Sequence, residues 1–131
     1  MTRIARIVYA VLVWVFLAAV TVQTLLAGLA IFGDPRDIGL HIQVGYILHL
    51  SPILILVAAA VGRVGRSTLL WVGALVVATF IQPLLPSMAG SSAFLAALHP
   101  VLALVIFAIA ARLAWTSLAL LRTGPASELP S

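Results

Sequence analysis

Four stretches of apolar residues, each about as long as a bilayer's hydrocarbon core is thick, decide most of what this chain can fold into. They run over residues 7–32, 39–61, 68–85 and 94–121. Crossing that core takes about 20 helical residues. The breaks between the stretches carry turn chemistry: Gly33-Asp34-Pro35-Arg36-Asp37, then Gly62-Arg63-Val64-Gly65-Arg66-Ser67, then Pro86 to Ser92. Short breaks force neighbouring helices to run antiparallel. The expected architecture is therefore all-α: an integral membrane four-helix bundle over 1–122, followed by a polar tail, 123–131, read as disordered and cytoplasmic.

Composition agrees. Of 131 residues, 64% are hydrophobic and 8% charged, where a soluble domain carries about a quarter charged residues. The formal charge of +4 comes from arginines, and most of them lie between the apolar stretches, where they anchor helices and do not form a track for phosphates. A nucleic-acid partner is thereby discounted. The chain contains no cysteine, which excludes disulfide exchange, thiolate metal sites and thioether-linked haem.

The arginines also predict orientation. Arg3 and Arg6 precede the first helix, Arg63 and Arg66 fill the second break and Arg122 follows the last helix. Positive charge collects on the cytoplasmic side, so both termini are expected there, in a multi-pass protein of the inner (plasma) membrane. Trp14, Trp71 and Trp115 fall toward the same side. The N-terminal apolar run is longer than a secretory signal core and reads as an uncleaved anchor.

The two halves of the chain repeat. Gln23-Thr-Leu-Leu-Ala-Gly-Leu-Ala30 aligns without gaps on Gln82-Pro-Leu-Leu-Pro-Ser-Met-Ala89, and Leu40-His41 answers Leu98-His99. Leucine matches are cheap in such a sequence. Glutamine and histidine matches are not, because the chain has three of each, and the two offsets, 59 and 58, agree to within one loop residue. Two hairpins repeated in one orientation are related by a pseudo-two-fold axis along the membrane normal. Equivalent residues then sit at equal depth, so His41 and His99 are expected to face each other near the outer rim.

Ionisable side chains inside a membrane segment default to a functional hypothesis. Two histidines on facing helices suffice to ligate a haem iron axially, with the tetrapyrrole between the helices. They are too few for a structural zinc, which takes four protein ligands. The competing reading is that the histidines bond to carbonyls or to each other and hold helices together. Arg36 sits at the same rim, where it would meet a haem propionate or else pair with Asp34 or Asp37. His49 lies eight residues past His41, about 12 Å deeper, and its repeat counterpart is Phe107. It is expected to hydrogen-bond, with Gln23 as partner, or to contact a quinone headgroup or substrate. Gln23 and Gln82 are expected deeper than the paired histidines, beyond reach of their rings. Pro52 removes a backbone donor and leaves the Leu48 carbonyl without its helical partner. His41 and His99 are each expected about one turn inside their helices from the outer rim; the alternative for His99, which precedes Pro100, is a cap position at the very edge.

Gln-x-Leu-Leu-Ala-Gly, a loop, Leu-His41-x-x-x-Gly45, and later Leu-His99-x-x-x-Ala103 resemble a half-repeat of the haem A synthase family over about Val22 to Ala114. The resemblance implies a four-helix bundle whose second and fourth helices supply axial histidines, here His41 and His99, to a b-type haem. That family's catalytic half carries a glutamate three residues before its first histidine, where this chain has Ile38. Its outer-loop cysteine pair and its second half have no counterpart in this sequence. The resemblance thus implies haem binding, while these departures keep it from carrying hydroxylation over. The chain also resembles small four-helix bacterial membrane proteins of uncharacterised function.

The leading expectation is a bis-histidine b-type haem protein serving electron transfer, haem sensing or haem handling, with haem iron as its metal and no assigned catalytic residue. One haem near one face does not carry electrons across about 30 Å of hydrocarbon. A quinone, a homo-oligomer or a larger membrane complex would have to complete the path. The alternative is a cofactor-free accessory or scaffold subunit of a larger membrane complex. An ion or solute carrier is weaker, because no charged residue falls at mid-membrane.

Overall fold

A computed structural model describes residues 2–122; the tail expected to be disordered, 123–131, lies outside the described residues. Helix α1 spans Thr2–Phe32, α2 Ile38–Gly62, α3 Arg66–Ile81, α4 Leu84–Ser87 and α5 Ala93–Arg122. Among the described residues there is no strand. Counting α3 and α4 as one broken segment, four helical spans are long and apolar enough to cross a membrane. The protein is a multi-pass membrane bundle.

The first break is tighter than a loop. Pro35–Asp37 forms a single 3-10 turn that leads directly into α2. Asp34 caps it, accepting a hydrogen bond from the Arg36 N–H at 2.9 Å, and Pro35 brings a preset φ and no donor to satisfy. The second break is a glycine turn. Arg63 takes a left-handed φ of 49° and Gly65 a φ of 97°, so the chain reverses within a few residues. Across it, Arg6 Nε donates to the Gly62 carbonyl at 2.9 Å, placing a cation on the negative end of α2. A Cβ at Gly62 would lie 3.3 Å from the Arg6 backbone N; the missing side chain is what lets α1 come this close.

The third apolar stretch does not run unbroken to Leu85. It stops at Ile81 and resumes at Leu84, because Pro83 and Pro86 each remove a backbone donor. The fourth begins at Ala93 and carries Pro100 in its interior. His99 is therefore six residues inside α5 and not at its edge.

Helix α1 packs against α2 and α5, and α3 packs against the same two, whereas α2 and α5 do not meet directly. The two histidine-bearing helices are thus diagonal across the bundle, each hairpin contributing one, as a pseudo-two-fold arrangement requires. The tight core lies at the arginine end. Tyr9, Val13, Ile55, Val72, Leu75 and Leu113 are almost or wholly inaccessible there, with Ala59, Ala110 and Ala114 letting the backbones approach. At the opposite end, over 17–32, 38–51, 79–92 and 93–105, the buried residues are Ala30 and Thr79. That half is loosely packed.

Candidate functional site

His41 from α2 and His99 from α5 converge on the bundle axis. Their ring centres lie 6.2 Å apart with planes at 77°. The rings are held in the same way. His41 Nδ1 lies 3.1 Å from the carbonyl oxygen of Gln23, and His99 Nδ1 lies 3.0 Å from that of Gln82. A carbonyl only accepts, so each Nδ1 carries a proton, and in the neutral imidazole it is Nε2 that holds the free lone pair.

The glutamines complete the symmetry. Gln23 Nε2 donates to the His41 carbonyl at 3.0 Å, and Gln82 Nε2 donates to the His99 carbonyl at 3.0 Å. Both Gln Oε1 atoms are buried without a partner. The expectation that the glutamines sit deeper than the histidine rings is therefore corrected: each is level with its histidine. The 3-10 turn beneath α2, and the short α4 after Gln82, add height that a simple count from the helix ends omits.

Local sequence explains each contact. Pro86 is four residues after Gln82, so the Gln82 carbonyl has no helical donor and accepts from His99 instead. In the first hairpin Ala27 occupies the corresponding place and has an N–H, so the Gln23 carbonyl uses its second lone pair for His41. Gly45 seats the Gln23 amide: a Cβ there would stand 2.8 Å from Gln23 Nε2.

His49 stands apart from the pair and does not bond to Gln23. Its Nδ1 lies 3.1 Å from the Thr79 carbonyl on α3, and its ring centre is 4.2 Å from that of Phe80. The same proline logic applies, since Pro83 is four residues after Thr79 and leaves that carbonyl free. Near Pro52, Ser51 Oγ donates to the orphaned Leu48 carbonyl at 2.7 Å. Sequence reading missed Thr79, Phe80 and the Gln82 carbonyl, although the prolines four residues on were a usable signal for two of them.

Arg36 is engaged within its own loop. Its Nε lies 3.0 and 2.9 Å from the two Asp34 carboxylate oxygens, and its side chain is 90% exposed. The guanidinium holds the Asp34 carboxyl below its ordinary range. Arg112, at the other end, lies over the Trp71 ring with its Cζ 4.9 Å from the ring centre, a cation–π contact that suits an interfacial arginine. Among the described residues, no three His, Cys, Asp or Glu side chains gather as a metal-binding group. The histidine pair is a two-donor arrangement.

The family of unknown function DUF6220 matches residues 23–90. The chain belongs to that family. The DUF6220 segment opens on Gln23 and takes in His41, His49, Thr79 and Gln82, while His99 lies beyond it. No curated protein and no solved structure matches the chain.

Proposed function

We propose that this membrane bundle binds a b-type haem between its diagonal helices, with His41 Nε2 and His99 Nε2 as the two axial donors. The observation that carries the reading is the spacing of the two rings. A metal–imidazole bond is about 2 Å long, and the ring centre lies roughly 1 Å beyond the nitrogen, so an iron held by both Nε2 atoms from opposite sides would leave the ring centres about 6 Å apart. The observed separation is 6.2 Å.

Three further features support it. Each Nδ1 is bonded to a backbone carbonyl, the arrangement that orients a ligating imidazole and raises the basicity of its other nitrogen. The surrounding half of the bundle is loosely packed, and the donors come one from each hairpin. The donor set therefore fits a bis-histidine haem and does not fit a four-ligand zinc. Haem held there would supply one-electron chemistry at its iron. The chain's own contribution is to hold two neutral imidazoles in a fixed tautomer and to exclude water with the apolar walls around them. Arg36 is paired with Asp34 at the same rim, and a propionate contact to its exposed guanidinium belongs to the same proposal.

The resemblance to a haem A synthase half-repeat points the same way. We place the arginine end in the cytoplasm on the strength of Arg3, Arg6, Arg63, Arg66 and Arg122, which puts the histidine pair toward the outer face. A reporter fused after Arg122 and requiring the cytoplasm for activity tests this orientation.

A second reading is favoured by the same hydrogen bonds: His41 and His99 act only as interhelical ties in a cofactor-free subunit of a larger membrane complex. One experiment separates the two. Protein expressed with ample haem and purified in detergent is reduced and its visible spectrum recorded. The haem reading expects a b-type α band that is lost in His41→Ala and in His99→Ala and kept in His49→Ala. Colourless wild-type protein favours the subunit reading.

A further inference from the structure

We infer that His49 heads a second, separate site, a lateral groove that takes a lipid-soluble aromatic alcohol of the quinol class, with the ligand's ring hydroxyl donating to His49 Nε2. The groove, of about 610 Å³, is lined by His49, Val77, Phe80, Ile81, Pro83 and Leu84. Val77 and Leu84 are each 59% exposed, so in a bilayer the groove opens to the acyl chains and a ligand enters sideways without crossing water.

The polar atom at its head is defined by the backbone. Pro83 has no N–H to give the Thr79 carbonyl, and His49 Nδ1–H takes that place at 3.1 Å. The neutral ring then presents Nε2 as an acceptor with no donor in the protein. An acceptor facing hydrocarbon is costly unless something bonds to it, and hydrocarbon tails offer nothing. A ligand that satisfies it must dissolve in the bilayer and carry a hydroxyl donor. The Phe80 ring, 4.2 Å from the imidazole centre, and Pro83 supply flat apolar walls, which favour an aromatic head over a sterol or a fatty alcohol. Apolar pockets of a few hundred Å³ with a single placed polar group are the usual form of small-molecule sites.

Pro83 adjoins in sequence Gln82, whose carbonyl holds the His99 ring, but the groove is lined by neither His41 nor His99 and does not require that haem be bound between them.

The full chain purified in detergent is titrated with decylubiquinol by calorimetry, and in parallel with the bis-O-methyl ether of the same compound, which lacks the donor. The expected result is saturable binding of the quinol. Binding should be weaker by about tenfold for the ether and for His49→Leu, the worth of one buried hydrogen bond. A second variant, Val77→Trp, fills the groove while leaving the His49–Thr79 bond in place, and should abolish binding with the thermal melt unchanged. The His41→Ala/His99→Ala double variant should bind the quinol as wild type does, so loss of haem and loss of this site are read separately. Equal affinity for quinol and ether, wild-type affinity in Val77→Trp, or no binding to the wild-type protein overturns the inference.

Discussion

Gln23 and His41 hold each other by two opposed hydrogen bonds, the histidine ring to the glutamine carbonyl and the glutamine side chain to the histidine carbonyl; Gln82 and His99 do the same. The ring contact uses backbone, so a side-chain substitution at either glutamine leaves it intact. Gln23→Leu and Gln82→Leu should each lower stability by about 0.6 kcal/mol, the mean for an interhelical hydrogen bond in a membrane protein. Unfolding in detergent measures this, and any b-type absorption should persist in both variants.

The near-perpendicular rings have a spectroscopic consequence. Were haem iron held by both His41 and His99, ring planes kept at 77° would load two iron d orbitals almost equally and nearly cancel the splitting between them. Oxidised, haem-loaded protein should therefore give a highly anisotropic low-spin EPR signal with a single prominent low-field feature. Three well-resolved g values would indicate parallel rings and a different pair of ligand orientations.

Proline removal separates positioning from ligation. Pro86→Ala gives the Gln82 carbonyl a helical N–H, which shares that oxygen with His99 Nδ1–H as the Ala27 N–H shares the Gln23 carbonyl with His41. In haem-loaded protein His99 should still ligate, with a slightly less basic Nε2. The expected outcome is a slightly raised reduction midpoint, with the optical band retained. A purely structural proline would change the melt and not the midpoint.

At the opposite end, Gly62→Ala should destabilise the bundle. The added Cβ meets the Arg6 N at 3.3 Å and the Ala5 carbonyl carbon at 3.4 Å, and backbone yields less readily than a side-chain tip. Overpacking of this kind costs about 1–3 kcal/mol, more than the roughly 0.5–1 kcal/mol gained by replacing a helical glycine. Gly45→Ala is the contrasting case, because its Cβ meets only the flexible end of Gln23; the lost hydrogen bond and the helix gain nearly offset. Thermal denaturation of the two variants should therefore differ in magnitude.

The rim pair has a defined pH response. Asp34 titrates below its ordinary value, chiefly because of the Arg36 side chain. A depressed folded-state value means that the pair is fully formed above the ordinary carboxylate range and is lost as pH falls through the lowered value. Carbon-detected NMR of the Asp34 carboxyl should show this midpoint, moving up toward the ordinary value in Arg36→Ala without reaching it, because the backbone N–H at position 36 still donates. Because the pair is solvent-exposed, the melt should not follow it.

Much of the architecture could be read from the chain. Apolar run lengths define the four spans, and the glutamine and histidine offsets relate His41 to His99 from sequence alone. What escaped was depth. Counting from helix ends ignored the 3-10 turn at Pro35–Asp37 and the break at Gln82 and Pro83, and so separated residues that are bonded. The rule that found the Leu48 carbonyl, orphaned four residues before Pro52, was not carried to Pro83 and Pro86. Applied there, it names the Thr79 and Gln82 carbonyls as acceptors awaiting a donor. Which histidine reaches which carbonyl needed the three-dimensional pairing of helices, because His49 and Thr79 are thirty residues apart and no repeat relates them.

The uneven packing of the bundle separates two events in the life of the molecule. Tyr9, Ile55, Leu75 and Leu113 close the arginine end completely without help from anything between the histidines. Membrane insertion and helix assembly can therefore finish on their own, with the two histidine rings already held by backbone carbonyls at the far end. On the haem reading, loading would be a later step, governed by the supply of the occupant and not by the folding of the chain.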